Sequence, residues 1–148
     1  MKKIIVMIFG TGLLGAGINS AFAQDSKSKA PFDESIWRVE HLSHQKTFIK
    51  SYQNDQKFTY LSFNPYTHRI NGSGLCNKFL GFFQNNGNQI TISKIERQQN
   101  TCLDPQVNAQ DEFFFDKLKL VKSVSIGGKY LRLLDENNKI LITAKYFK

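Results

Sequence analysis

Residues 69–88 read RINGSGLCNKFLGFFQNNGN. A glycine-rich segment leads into Cys76, and a strand-like apolar run ends at the turn sequence Asn85-Asn86-Gly87-Asn88. Asn-Gly dipeptides favour the tight turns that join antiparallel strands, so this stretch predicts a β-hairpin. Residues 90–95 complete the hairpin, because their apolar and polar residues alternate with three Ile on one face.

Short alternating segments separated by turn sequences extend this pattern in both directions along the chain. Before Cys76 we expect strands at residues 36–39, 47–49, 60–63 and 69–74. After it we expect strands at residues 81–84, 90–95, 124–126, 130–134 and 140–144. The predicted order is therefore six strands, one helix and three strands.

The single helix is predicted over residues 105–121. Asp104 is a typical N-cap residue, and Pro105 suits the first helical position. Asp111 and Glu112 are expected on the solvent side near the helix start, where acidic side chains favour the helix dipole. At about 100° per residue, one apolar stripe contains Val107, Phe114, Leu118 and Val121.

These elements predict an α+β fold that is mainly antiparallel β, with a curved sheet or cracked barrel packed on the single α-helix. The chain has 148 residues, of which 41% are hydrophobic, so one domain with one core is expected. We place this domain at residues 35–148, after a flexible polar segment at residues 24–34.

The first 23 residues resemble a cleaved signal peptide. Lys2 and Lys3 precede an apolar run, and Ala21-Phe22-Ala23 forms a cleavage site before Gln24. The alternative is an uncleaved anchor, but the apolar run is shorter than the ~20 residues that a spanning helix needs. Cleavage removes two lysines and no acidic residue, so the net charge falls from +8 to +6. We expect a periplasmic or secreted monomer with no membrane span.

Cys76 and Cys102 are the two cysteines of the chain. In an exported protein we expect them to form one structural disulfide. The alternative is a pair of reactive thiols, but the spacing is not C-x-x-C and no histidine flanks either residue. The histidines are dispersed, so we expect no metal site.

Residues 71–83 resemble the G-x-x-G-C-N-x-F-x-G-x-Y signature of the META (HslJ-like) domain family. Residues 110–118 match the family's E-x-x-F-x-x-x-L stretch, residues 130–135 match its L-x-L-x-D, and Trp37 suits its opening tryptophan. The similarity spans about residues 35–145. The signature positions that form a possible binding segment are Gly74, Asn77, Phe79 and Gly81.

The resemblance implies a small antiparallel β structure with one helix and no enzymatic activity. It also implies an association with the bacterial envelope, with stress (including heat shock) or drug tolerance, and with secretion. The sequence itself also gives no indication of catalysis, since it has no G-x-S-x-G nucleophile motif and no phosphate-binding loop. We therefore expect no catalytic residues and no cofactor.

Two surfaces are candidates for binding. Lysines that form a possible basic face are Lys117, Lys119, Lys122 and Lys129. This face would bind an envelope protein, an anionic lipid or an acidic glycan. We do not expect nucleic acid as a partner, because the protein is predicted to be exported. The alternative is that scattered positive charge serves solubility alone. The segment from Gly74 to Gly81 is the second candidate, although Asn77 is expected to hydrogen-bond local backbone rather than a ligand.

The leading hypothesis is a non-catalytic exported domain that binds or supports envelope components. One alternative is a secreted inhibitor of a hydrolase, with a protruding loop at residues 98–105 entering the enzyme's cleft. Another is a small barrel that binds a lipid or other ligand inside.

Overall fold

The computed structural model describes residues 34–148. It contains eight strands and one helix in the order β1 (Ile36–Leu42), β2 (Tyr60–Asn64), β3 (Arg69–Ser73), β4 (Lys78–Asn86), β5 (Gln89–Arg97), α1 (Pro105–Lys119), β6 (Ser123–Gly127), β7 (Tyr130–Leu134) and β8 (Ile140–Tyr146). Each strand pairs antiparallel with the next, and β8 pairs with β1, so the sheet closes into a ring. The mainly antiparallel sheet with a single helix is as predicted.

The ring is weakest between β5 and β6, the two strands that the helix connects. One residue pair, Gln89 with Ser123, joins them in the ladder. Backbone hydrogen bonds from Ile90 N to Lys122 O (3.0 Å) and from Val124 N to Asn88 O (2.9 Å) flank that pair. The helix itself lies against β5 and β8.

Alternation along the strands fills the barrel with apolar side chains. In β4, Phe79 and Phe83 are buried and Phe82 points outward. A register shift in β1 between Val39 and His41 turns Leu42 inward, where a regular strand would place His41. The largest fully buried side chains are Phe63, Phe83, Phe114, Phe115, Leu42, Leu61, Ile70, Leu75, Leu118, Leu131 and Leu133.

The helix begins at its predicted residue because the local signals agree. The Asp104 side chain accepts a hydrogen bond from Gln106 N at 2.8 Å, and Pro105 occupies the first helical position. All four residues of the predicted stripe, from Val107 to Val121, are buried. The helix ends at Lys119, two residues before the predicted end.

The predicted strand at residues 47–49 is wrong, so five strands rather than six precede the helix. The backbone of Ile49 has a side-chain partner instead of a strand. Its N–H donates to Gln110 Oε1 (2.7 Å), and Gln110 Nε2 donates back to its carbonyl (2.8 Å). A side chain on the helix thus satisfies the groups that a neighbouring strand would have satisfied.

The solvent-facing position predicted for Asp111 is also wrong, because only 1% of this residue is exposed. Asp111 is the seventh residue of the helix, and the first turn contains no acidic residue. At about 100° per residue it lies about 40° from Val107, within the apolar stripe. It therefore faces the barrel.

The predicted signal peptide and cleavage site lie outside the described residues. Within residues 34–148, no helix has the length and apolar character needed to cross a bilayer.

Candidate functional site

The Asp111 carboxylate organises the segment that carries the sequence signature. Its Oδ1 accepts from the backbone N–H groups of Cys76 (2.9 Å) and Asn77 (3.4 Å), and its Oδ2 accepts from Asn77 Nδ2 (2.7 Å). Burying a carboxylate is costly unless hydrogen bonds replace its water. The turn after Gly74 supplies those bonds, so helix and turn stabilise each other.

Gly74 permits this close approach. A Cβ atom at this position would overlap Asp111 Oδ1. Gly72 serves the neighbouring contact, because a Cβ there would overlap the carbonyl oxygen of Tyr60 on β2. Both glycines are required by the space between chain segments rather than by an unusual backbone angle.

Asn77 uses its whole side-chain amide within the fold. Nδ2 donates to Asn100 O at 3.1 Å as well as to Asp111, and Oδ1 accepts from Asn100 N at 2.7 Å. Both amide hydrogens are therefore engaged, and only 4% of the residue is exposed. The sequence predicts that Asn77 bonds local backbone. In the structure it bonds the backbone of Asn100, 23 residues away.

The disulfide predicted between Cys76 and Cys102 is present, with the Cα atoms 6.0 Å apart. It ties the signature segment to the loop at residues 98–104. Asn108 on the helix holds the same loop, because its Oδ1 accepts from Cys102 N at 2.7 Å and its Nδ2 donates to Cys102 O. The loop is thus fixed from two sides.

Three carboxamide side chains share one geometry that the sequence analysis missed. Asn77, Asn108 and Gln110 each bond both the N–H and the C=O of one residue in a loop. Each pairing imitates what a β-strand offers its neighbour. The position of Gln110 beside the apolar stripe could have predicted such a pairing, since a buried amide needs hydrogen-bond partners.

The possible binding segment turns its signature residues inward. Gly74, Asn77, Phe79 and Gly81 are all buried. The Phe79 ring lies 6.0 Å from the Phe114 ring and 5.5 Å from the Phe115 ring. The exposed side of the segment is formed by Lys78 and Leu80.

A cleft of about 290 Å³, which we call the motif cleft, lies beside Lys78. Lysines, aromatic rings and amides line it, together with Ser73, Leu75 and the disulfide-bonded Cys76. The lining residues are Gln56, Lys57, Phe58, Tyr60, Ser73, Leu75, Cys76, Lys78, Gln98 and Asn100.

A second cleft, of about 420 Å³, lies between residues 44–49 and the helix. Gln110 and Phe113 form its helical wall. Gln45 Nε2 donates to Gln110 Oε1 at 2.8 Å, so the amide pairing that holds Ile49 also shapes this cleft.

The four lysines of the predicted basic face do not form one compact group. Lys117, Lys119 and Lys122 lie around the end of the helix, whereas Lys129 lies past the other end of β6, about 16 Å along the strand from Lys122. Lys119 Nζ pairs with Asp116 Oδ1 at 3.5 Å, and Lys117 Nζ lies 4.8 Å from the Phe113 ring centroid.

The described part of the chain contains no group of three or more His, Cys, Asp or Glu side chains that could hold a metal ion. Nothing in the geometry of these residues indicates catalysis.

Comparisons with known proteins agree with this architecture. An NMR structure of a protein from Burkholderia xenovorans is 12% identical, with a TM-score of 0.62, covering 79% of this chain and 84% of that one. A second NMR structure is 20% identical, with a TM-score of 0.56, covering 76% and 89%. A crystal structure of a DUF4847 family protein from Bacteroides vulgatus is 14% identical, with a TM-score of 0.52, covering 79% and 95%. At these identities the likeness concerns the fold alone.

No curated protein matches the chain at a significant level. The family model of the META domain matches residues 30–146, which include the whole barrel. Because this match covers most of the chain, the chain belongs to the META domain family.

Proposed function

We propose that this protein is a non-catalytic exported domain that binds an anionic component of the bacterial envelope. The observation that carries the proposal is the surface charge. The chain has 20 Lys and Arg against 12 Asp and Glu. Among residues 34–148, Asp111 is the one charged side chain that is buried, so the positive excess lies at the surface.

Little of this charge is neutralised by ion pairing. The pairs formed within residues 34–148 are Lys50–Glu40 (3.6 Å), Arg97–Glu112 (2.8 Å) and Lys119–Asp116 (3.5 Å). Most of the surface lysines are therefore free to interact with an external anion, and such a field also speeds association with an acidic partner.

Export is supported by the disulfide, because disulfides persist in oxidising compartments such as the periplasm. The predicted signal peptide points the same way. We place a role in stress or drug tolerance, or in secretion, within the proposal on the strength of family membership.

The test is co-sedimentation of the purified exported protein with envelope material. We expect binding to lipopolysaccharide or to phosphatidylglycerol vesicles, and none to neutral phosphatidylcholine vesicles. Binding should disappear at 1 M salt, where the Debye length is only ~3 Å. Equal binding to neutral and anionic material, or binding to neither, would contradict the proposal.

A second function, inhibition of a hydrolase, is favoured by one observation. Leu103 is 99% exposed on the loop at residues 98–104, next to the disulfide-bonded Cys102. An apolar residue held out on a fixed loop suits insertion into an enzyme's specificity pocket. Inhibition of a protease or a cell-wall hydrolase that is lost in Leu103→Asp would support this reading, and unchanged inhibition in that variant would remove it.

The third reading, a ligand inside the barrel, has less support. Aromatic rings already pack there, with the Phe63 and Phe83 rings 5.2 Å apart and the Phe114 and Phe115 rings 5.1 Å apart.

A further inference from the structure

We infer that the motif cleft binds an acidic sugar, a pyranose ring that carries a carboxylate. The inference rests on the proposed function, since it assigns a site and a ligand class to the anionic envelope component. It places binding at Lys57 and Lys78 rather than at the lysines of the helix.

The cleft arises from side-chain size along one row of the sheet. Tyr60 pairs with Ser73, and Ser73 pairs with Lys78, so the three residues lie side by side on β2, β3 and β4. Two strand spacings, about 10 Å, separate Tyr60 from Lys78. The small Ser73 side chain between them leaves a depression as wide as a single sugar ring.

The aromatic wall of the cleft is held in place before any ligand arrives. The Phe58 ring lies 5.8 Å from the Tyr60 ring and 5.2 Å from the Phe147 ring. The Arg38 guanidinium lies 4.8 Å from the centroid of the Phe58 ring. The opposite side is fixed as well, because Lys78 N donates to Gln98 Oε1 (3.2 Å) and Gln98 N donates to Lys78 O (3.0 Å). A preformed site loses less conformational entropy on binding.

The charge of the cleft selects an anion. Lys57 and Lys78 line it, and neither belongs to an ion pair formed within residues 34–148. None of the residues from 34 to 148 that line the cleft is acidic. The nearest acid along the chain, Asp55, accepts a hydrogen bond from the Ser51 hydroxyl. By contrast, Lys119 on the helix is already paired with Asp116.

The remaining lining groups select a sugar among anions. The negative face of an aromatic ring attracts the weakly positive C–H groups on one face of a pyranose. The Gln56 amide can donate to and accept from ring hydroxyls, and Gln98 can donate through Nε2, since its Oε1 already accepts from Lys78 N. A volume of about 290 Å³ is just below the ~300–1,000 Å³ of typical small-molecule sites, which suits a ligand as small as one sugar residue.

The test titrates the exported protein, with its disulfide intact, with D-glucuronate, with D-glucose and with acetate. We expect glucuronate to bind about tenfold more tightly than either of the others, because only it offers both the ring and the carboxylate. The double variant Lys57→Gln/Lys78→Gln should lower the glucuronate affinity to that of glucose. Lys117→Gln/Lys119→Gln is the matched control and should bind as the wild type does.

A third variant, Ser73→Leu, fills the floor of the cleft without changing the charge and should abolish binding of both sugars. Its side chain points outward from the barrel, and circular dichroism would establish that it is folded. Glucuronate affinity equal to that of glucose or of acetate would overturn the inference. So would a loss of binding in the helix variant with the cleft variant unaffected, although the proposed function would then stand. Failure of the protein to bind any anionic envelope material would remove the proposed function itself.

Discussion

Replacing Asp111 with alanine removes the acceptor of three donors at once, two of them on the buried Asn77. Two of the bonds are short, from Cys76 N at 2.9 Å and from Asn77 Nδ2 at 2.7 Å. A hydrogen bond to a charged group stabilises a protein by about 1.5–3 kcal/mol, and donors left unpaired in the interior add to the loss. Allowing for non-additivity within one network, we expect Asp111→Ala to lower the free energy of unfolding by about 3–5 kcal/mol.

Urea denaturation of the oxidised protein measures this loss directly. At about 4 °C per kcal/mol for a domain of this size, the thermal midpoint should fall by about 12–20 °C. Asp116→Ala is the matched control, because Asp116 lies on the same helix with 67% of its side chain exposed and pairs with Lys119 at the surface. That change should cost less than about 1 kcal/mol.

Gly74→Ala attacks the same contact from the other side, because the added Cβ would displace the Asp111 carboxylate. We expect Gly74→Ala to destabilise the protein when it is the only substitution. The loss of unfolding free energy should be much smaller when Asp111 is already alanine. If Asp111→Ala were no worse than Asp116→Ala, or if Asp111→Ala and Gly74→Ala were strictly additive, the stabilising role of the Asp111 clamp would be refuted.

The remaining predictions concern export, the disulfide, the core and the helix lysines. Intact-mass measurement of the exported protein should give an N-terminus at Gln24; a mass that includes residues 1–23 would contradict this. Cys76→Ser should cost about 3–4 kcal/mol in urea denaturation, and thiol titration of the native protein should find no free thiol. Phe114→Ala should cost about 3–5 kcal/mol by the same assay, since the ring is fully buried; a loss below about 1 kcal/mol would argue against its place in the core. Lys117→Glu with Lys119→Glu should lower the free energy of unfolding by only about 1 kcal/mol, because Lys119 is exposed and Lys117 is only half-buried.

Local signals predicted the elements whose formation depends on neighbouring residues. The helix start at Asp104-Pro105 and the turn at Gly87 both follow from residue types at adjacent positions. Alternation found the strands because it records which side faces the core. The two-residue error at the helix end is of the size expected from fraying.

Contacts between distant residues could not be predicted in the same way. The strand expected at residues 47–49 failed because the partner of Ile49 is the side chain of Gln110, 61 residues away. Asp111 was misplaced because a charged residue was assumed to face solvent, whereas its angle on the helix placed it among the apolar side chains. Hydrogen bonds from the signature turn overcome the cost of its burial.

The motif cleft was also beyond sequence reasoning, because it depends on strand register. Lys57 and Lys78 are 21 positions apart and not part of the lysine cluster seen in the sequence. The pairing of Tyr60 with Ser73 and of Ser73 with Lys78 places the Tyr60 ring and the Lys78 side chain on either side of one depression.

The most direct test of acidic-sugar binding is an NMR titration of the ¹⁵N-labelled exported protein with D-glucuronate. Binding in the motif cleft predicts chemical-shift changes at the backbone amides of residues 56–60, 73–78 and 98–100, growing with ligand and reduced by salt. The amides of residues 117–122 should stay unchanged in the same spectra. Shifts confined to the end of the helix, or no shifts at any residue at saturating ligand, would contradict binding in the cleft.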